Sequence, residues 1–129
     1  MIETTAVFPI YITENLVPLR EFYVKVFGFQ AVFFEPSFYL HLLHPDNGIQ
    51  LAFMVPAHPS QPEYLHQPTT TDGLIISFEV VSAQQAFDQA KDLELTLIME
   101  LTEEAWGQRH FMLRDPAGFI IDVVEHLGE

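Results

Sequence analysis

The chain contains no cysteine, which excludes a disulfide framework, a thiol nucleophile and a thiolate-bound metal in one step. Cationic side chains are scarce: five Lys and Arg stand against eighteen Asp and Glu, a formal net charge of −13. Such a surface repels phosphate backbones and anionic lipid, so neither nucleic acid nor a membrane is expected as a partner. Long apolar runs are missing too. None approaches the roughly 20 residues that span a bilayer, and Met1-Ile2-Glu3-Thr4-Thr5 lacks the basic start of a signal peptide. A cytoplasmic address is expected. What the sequence does have is apolar mass, 49% hydrophobic residues with 13% aromatic, enough for a single folded domain over residues 1–129 with a core of its own. The acidity either keeps the protein dispersed or meets a cationic ligand.

Ala6 to Ile12 reads as a first strand. Asn15 then stands where an N-cap belongs, and Leu19, Phe22, Tyr23, Val26 and Phe27 follow helical spacing as far as Gly28. Ala31 to Glu35, Tyr39 to Leu43 and Ile49 to Val55 are short branched or aromatic runs. His44-Pro45-Asp46-Asn47-Gly48, between the last two, has hairpin-turn chemistry. Residues 56–73 carry four prolines and no periodicity, the composition of a linker or a flap. The pattern then restarts. Leu74 to Val80 is a strand, Ser82 with Gln85 forms a capping box, and Ala83, Ala86, Phe87 and Ala90 share one helical face. Thr96 to Leu101, Arg109 to Leu113 and Phe119 to Val124 complete a second set of three strands, with Asp115-Pro116-Ala117-Gly118 as the last turn. Arg114 next to Asp115 reads as a local ion pair that fixes this turn.

Strand, helix and three strands therefore occur twice, over 6–55 and 74–125. Ile12 matches Val80, and Gly48 matches Gly118. The expected class is α+β, with two βαβββ modules forming a concave mixed-sheet cleft, because one such module cannot bury its apolar sheet face alone.

The stretch from Trp106-Gly107-Gln108-Arg109 through Arg114-Asp115-Pro116-Ala117-Gly118 to Asp122 and Glu125 resembles the C-terminal signature of the glyoxalase, bleomycin-resistance and extradiol-dioxygenase (vicinal oxygen chelate) superfamily. Phe22-Tyr23 followed by Phe27-Gly28-Phe29 resembles its opening helix. The bleomycin-binding members are the most similar in motif. The resemblance implies the glyoxalase/bleomycin resistance-like fold over nearly the whole chain, without implying one activity.

Metal-dependent members carry His, Glu or Gln on the first and last strand of each half, and the register assigns those positions to Val7, Ala52, Ile75 and Asp122. A catalytic metal needs about three lone-pair ligands, so the family metal site is expected to be lost and no cofactor is expected. The six histidines, His41, His44, His58, His66, His110 and His126, show no helical ligand spacing or metal-binding motif. They read as scattered imidazoles, with His110 the one to watch.

By the same resemblance, Ile120, Asp122 and Val124 line the cleft. Asp122 is either satisfied by protein groups, matched by a ligand cation or used in proton transfer. Trp106 takes the place where drug-binding relatives stack an aromatic ring on a planar ligand, and Phe33, Phe38, Tyr39 and Phe53 add aromatic wall. Arg109 either holds an anionic group or forms an ion pair. The reading preferred is a metal-independent protein that binds a planar cationic or aromatic small molecule, with a homodimer completing the walls. The alternative is a lyase, isomerase or dioxygenase that uses a relocated metal or an Asp122/His110 acid-base pair. A third is an interaction domain whose acidic face binds a basic protein.

Overall fold

Leu16, Leu19 and Tyr23 recur one turn apart and need an apolar surface to cover them. In the computed structural model, which describes residues 1–128 and leaves Glu129 outside, they form the buried stripe of helix α1, Leu16–Phe27. The chain divides into two compact units, the first ending at Thr69 and the second starting at Thr70.

The first unit comprises β1 (Ile10–Ile12), α1, β2 (Gln30–Glu35), β3 (Tyr39–Leu43) and β4 (Gln50–Met54), followed by one turn of 3-10 helix at Glu63–Leu65. Its sheet runs β1-β4-β3-β2, with β1 parallel to β4 and the other pairs antiparallel. The Tyr23 ring meets Phe53 at 5.6 Å, and Phe53 lies opposite Leu40 in the ladder. This is therefore the helix-facing side of the sheet, and full burial of a residue such as Phe53 or Leu40 contributes roughly 2 kcal/mol. Strand alternation turns Tyr39, His41 and Met54 to the opposite face.

The second unit repeats the plan: β5 (Ile75–Glu79), α2 (Ala83–Asp92), β6 (Thr96–Glu104), β7 (Gln108–Arg114) and β8 (Ile120–His126), in the order β5-β8-β7-β6. Ala83, Phe87 and Ala90 are the buried stripe of α2, and Phe87 packs on Phe111 at 5.2 Å. Each unit is a mixed four-stranded sheet with one helix, as the α+β expectation requires. No helix among the described residues is long and apolar enough to cross a membrane.

Three local expectations are corrected. β1 begins at Ile10 rather than Ala6, because Pro9 has no N–H to give the ladder and offers only its carbonyl, which accepts from the Ala52 N–H at 3.1 Å. Asn15 precedes α1 but makes no side-chain cap. It sits in the left-handed region at φ 59°, a conformation that Asn tolerates, and its contribution is to the bend of the chain. β6 runs three residues beyond Leu101, to Glu104, held by pairing with Gln108 to His110 although its end is polar. The other signals appear as expected. Gly28 ends α1 at φ 77° with its N–H bonded to the Val24 carbonyl, and the Ser82 side chain accepts from the Gln85 N–H at 3.1 Å. In the last turn Arg114 Nη1 donates to the Gly118 carbonyl at 2.7 Å.

Candidate functional site

On the face of the first sheet turned away from α1 lies an open cavity of about 500 Å³, within the range of small-molecule sites. Ile10, Ile12 and Met54 from the parallel pair form one side, and Val32, Phe33, Phe38 and Tyr39 form the other. Gln61 and Leu65 from the proline-rich segment complete the lining, so this stretch bears on the cavity. No Asp, Glu, Lys or Arg lines it. The Phe33 and Phe38 rings stand 6.0 and 5.8 Å from Tyr39, and Phe38 also packs on His58 at 4.2 Å.

Into this apolar wall the alternation of β3 sets two polar side chains. The Tyr39 hydroxyl lies 2.9 Å from His41 Nδ1, and His41 Nε2 lies 2.6 Å from the Gln50 amide oxygen. Phe8 stacks edge-on against the imidazole at 4.5 Å. Burial raises the Tyr39 pKa above its ordinary value, so the phenol stays protonated.

The second sheet carries a different cluster on its helix-averted face. His110 Nδ1 lies 2.7 Å from Asp122 Oδ1, and its Nε2 lies 2.9 Å from Glu104 Oε2. The imidazole side chain is 8% exposed. Burial on its own disfavours the charged ring, but hydrogen bonds to Glu104 and then Asp122, with their charges, outweigh it and raise the His110 pKa. Both nitrogens are held by carboxylates, which leaves the ring no nitrogen for a substrate. Arg109 is on the opposite, helix-side face. It donates to Glu103 at 2.9 Å and lies 3.7 Å from Glu125, whose Oε1 also accepts from the first N–H of α2. Its pKa is raised, chiefly by the hydrogen bond to Glu103.

The family model for the glyoxalase/bleomycin resistance protein/dioxygenase superfamily matches residues 9–123. The chain belongs to that superfamily. Similar solved structures include a superfamily member from Sphaerobacter thermophilus DSM 20745, 23% identical with TM-score 0.74, covering 96% of this chain and 98% of that one. A family enzyme from Burkholderia phytofirmans PsJN is 21% identical with TM-score 0.75, over 93% and 97%. A glyoxalase/bleomycin resistance protein/dioxygenase from Nocardioides is 16% identical with TM-score 0.76, over 98% and 86%. At these identities the likeness speaks for the fold. No curated protein matches the chain.

Within this superfamily fold, the residues at the four expected ligand positions do not suit a resident metal. Val7, Ala52 and Ile75 have no side-chain lone pair, and Asp122 is already engaged by His110. Val7 precedes β1 and is exposed. The observed ladders place Ile10 beside Ala52 and Ser77 beside Asp122, which still supplies no His. Among the described residues no group of three or more His, Asp or Glu is arranged to hold a metal ion.

The other expected site residues scatter. Phe33 and Tyr39 line the cavity, and His110 and Asp122 are in direct contact. Phe53 is fully buried on the helix side of its sheet and is not cavity wall. Arg109 realises the ion-pair alternative. Trp106 is exposed in the turn between β6 and β7, donating to Gln108 at 2.9 Å, and is not among the cavity-lining residues. Phe38, named with these aromatics, also lines the cavity, whereas the sequence reading missed His41, Met54 and Glu104 as site residues. The Tyr-x-His alternation in β3 was the available signal for His41, since it puts both side chains on one face.

Proposed function

We propose that the chain is a metal-independent binding protein that takes a planar, mainly apolar small molecule into the cavity of its first unit. The observation that carries this reading is the open aromatic wall without a charged side chain. A cation inside would find no carboxylate there, so the part of the ligand that enters is uncharged and any positive charge stays outside, facing the acidic surface. A homodimer belongs to the same proposal. Its support is the exposed apolar side chains of Ile10, Val32 and Phe33 at the cavity, which a second copy would cover.

The enzyme alternative draws support from the His110–Asp122 contact, and is weakened by Glu104 on the other nitrogen, which makes the ring a closed ion cluster rather than an available base.

Two measurements test the proposal. Elemental analysis of untagged protein should give far less than one Zn, Ni, Mn or Fe per chain, and near-unit occupancy would overturn metal independence. Titration of isotope-labelled protein with naphthalene-sized aromatics should move the amide signals of β3, β4 and residues 61–65. Absence of any such response removes the binding reading.

A further inference from the structure

The hydrogen bonds at Tyr39 have a direction. A neutral imidazole donates from one nitrogen and accepts at the other. With the Gln50 amide oxygen 2.6 Å from His41 Nε2, that nitrogen carries the proton. Nδ1 is then the acceptor and takes the single hydroxyl proton of Tyr39 across 2.9 Å. The phenol stays protonated because burial raises its pKa, and its proton is committed to the imidazole. What Tyr39 still has to offer a ligand is an oxygen lone pair.

We infer that the cavity selects ligands presenting a hydrogen-bond donor, an O–H or N–H on a planar apolar body, to the Tyr39 oxygen, with His41 and Gln50 as positioning residues that set its polarity. The inference rests on the cavity being the binding site. An acceptor-only ligand of the same shape leaves its carbonyl or ether oxygen facing another lone pair, which forfeits the bond and desolvates both groups.

The test uses the full chain and three probes of similar size, 2-naphthol, 2-methoxynaphthalene and 2-acetylnaphthalene, with affinities from calorimetry or amide shifts. Wild type should bind 2-naphthol about tenfold tighter than either acceptor-only probe. Tyr39→Phe should bring the three within about threefold of one another by weakening the naphthol alone. His41→Leu releases the Tyr39 proton, so the ketone should gain affinity while the naphthol loses it. A purely structural role for His41 would weaken all three together. Equal wild-type affinities, a preference for the ketone, or a naphthol preference that survives Tyr39→Phe each overturn the polarity while leaving the binding site in place. If none of the probes binds, the binding reading itself fails and takes the inference with it. The wild-type ranking stands whether or not either variant folds.

Discussion

Each sheet carries an imidazole on an inner strand of its helix-averted face, His41 on β3 and His110 on β7, and these two are dressed in opposite ways. In the first unit His41 sits between a phenol and an amide, beside an apolar cavity. In the second His110 sits between two carboxylates. Matching Gly48 with Gly118, His110 opposite Val124 corresponds to Tyr39 opposite Met54, and Met112 opposite Asp122 corresponds to His41 opposite Ala52. One backbone plan thus gives an uncharged, largely apolar wall in one copy and a self-satisfied ion cluster in the other. The choice lies in a few residues: Ala52 where the second copy has Asp122, and a β6 long enough to bring Glu104 to the ring.

The largest effect should come from removing the charged centre. His110→Ala leaves Asp122 and Glu104 facing each other without a cation. It should cost about 3 kcal/mol in urea unfolding, the low end for breaking a buried pair because the Glu104 side chain is 25% exposed. His41→Ala, at an open wall with neutral partners, should cost about 1 kcal/mol. Equal losses would dissolve the contrast.

The pH response sharpens it further. The His110 pKa is raised in the folded chain, so its stabilisation is complete below the ordinary imidazole pKa and is lost as pH rises through the raised value. The wild-type urea midpoint should therefore fall between mildly acidic and mildly alkaline buffer. His110→Gln should flatten that decline, and an identical slope in the variant would show that the cluster does not hold the proton.

Smaller still is the loss expected from Phe38→Ala, a weakening of aromatic probe binding by about threefold with little change in pH dependence. If affinity is unmoved, the wall contributes nothing to binding. The smallest effect belongs to Arg109→Gln, on the helix side of the second sheet. Probe affinity should not change and the unfolding midpoint should move little, since the half-buried Arg109 pairs with an exposed carboxylate, Glu103. A drop in affinity would return Arg109 to the site.

The doubled strand-helix-strand plan was legible because period-2 and helical spacings alternate cleanly and Gly28, Ser82 and Gly118 punctuate them. Which face each strand shows to the helix was less so. Phe53 and Tyr39 are both aromatic strand residues, and only the observed ladder, with Phe53 opposite Leu40, sends one to the core and the other to the cavity. Parity within a strand is readable, whereas its phase relative to the neighbouring strand depends on pairing register. Glu104 was missed because the polar Thr102-Glu103-Glu104 run looks like a loop until the opposing strand supplies its partners. Asp122 and His110 were coupled in the sequence reading only as an acid-base pair under the enzyme alternative, since twelve positions separate the two and nothing local in the chain joins them.

The proline-rich segment ends in a contact with a further consequence. Thr69 receives the Ile12 N–H on its hydroxyl at 2.7 Å and returns its own N–H to the Ile12 carbonyl at 2.8 Å. β1 is the outermost strand of its sheet and only three residues long. Its outward donor and acceptor at Ile12 are thereby taken by the chain's own backbone and hydroxyl, so a strand from another molecule finds no template there on which to begin a cross-β stack.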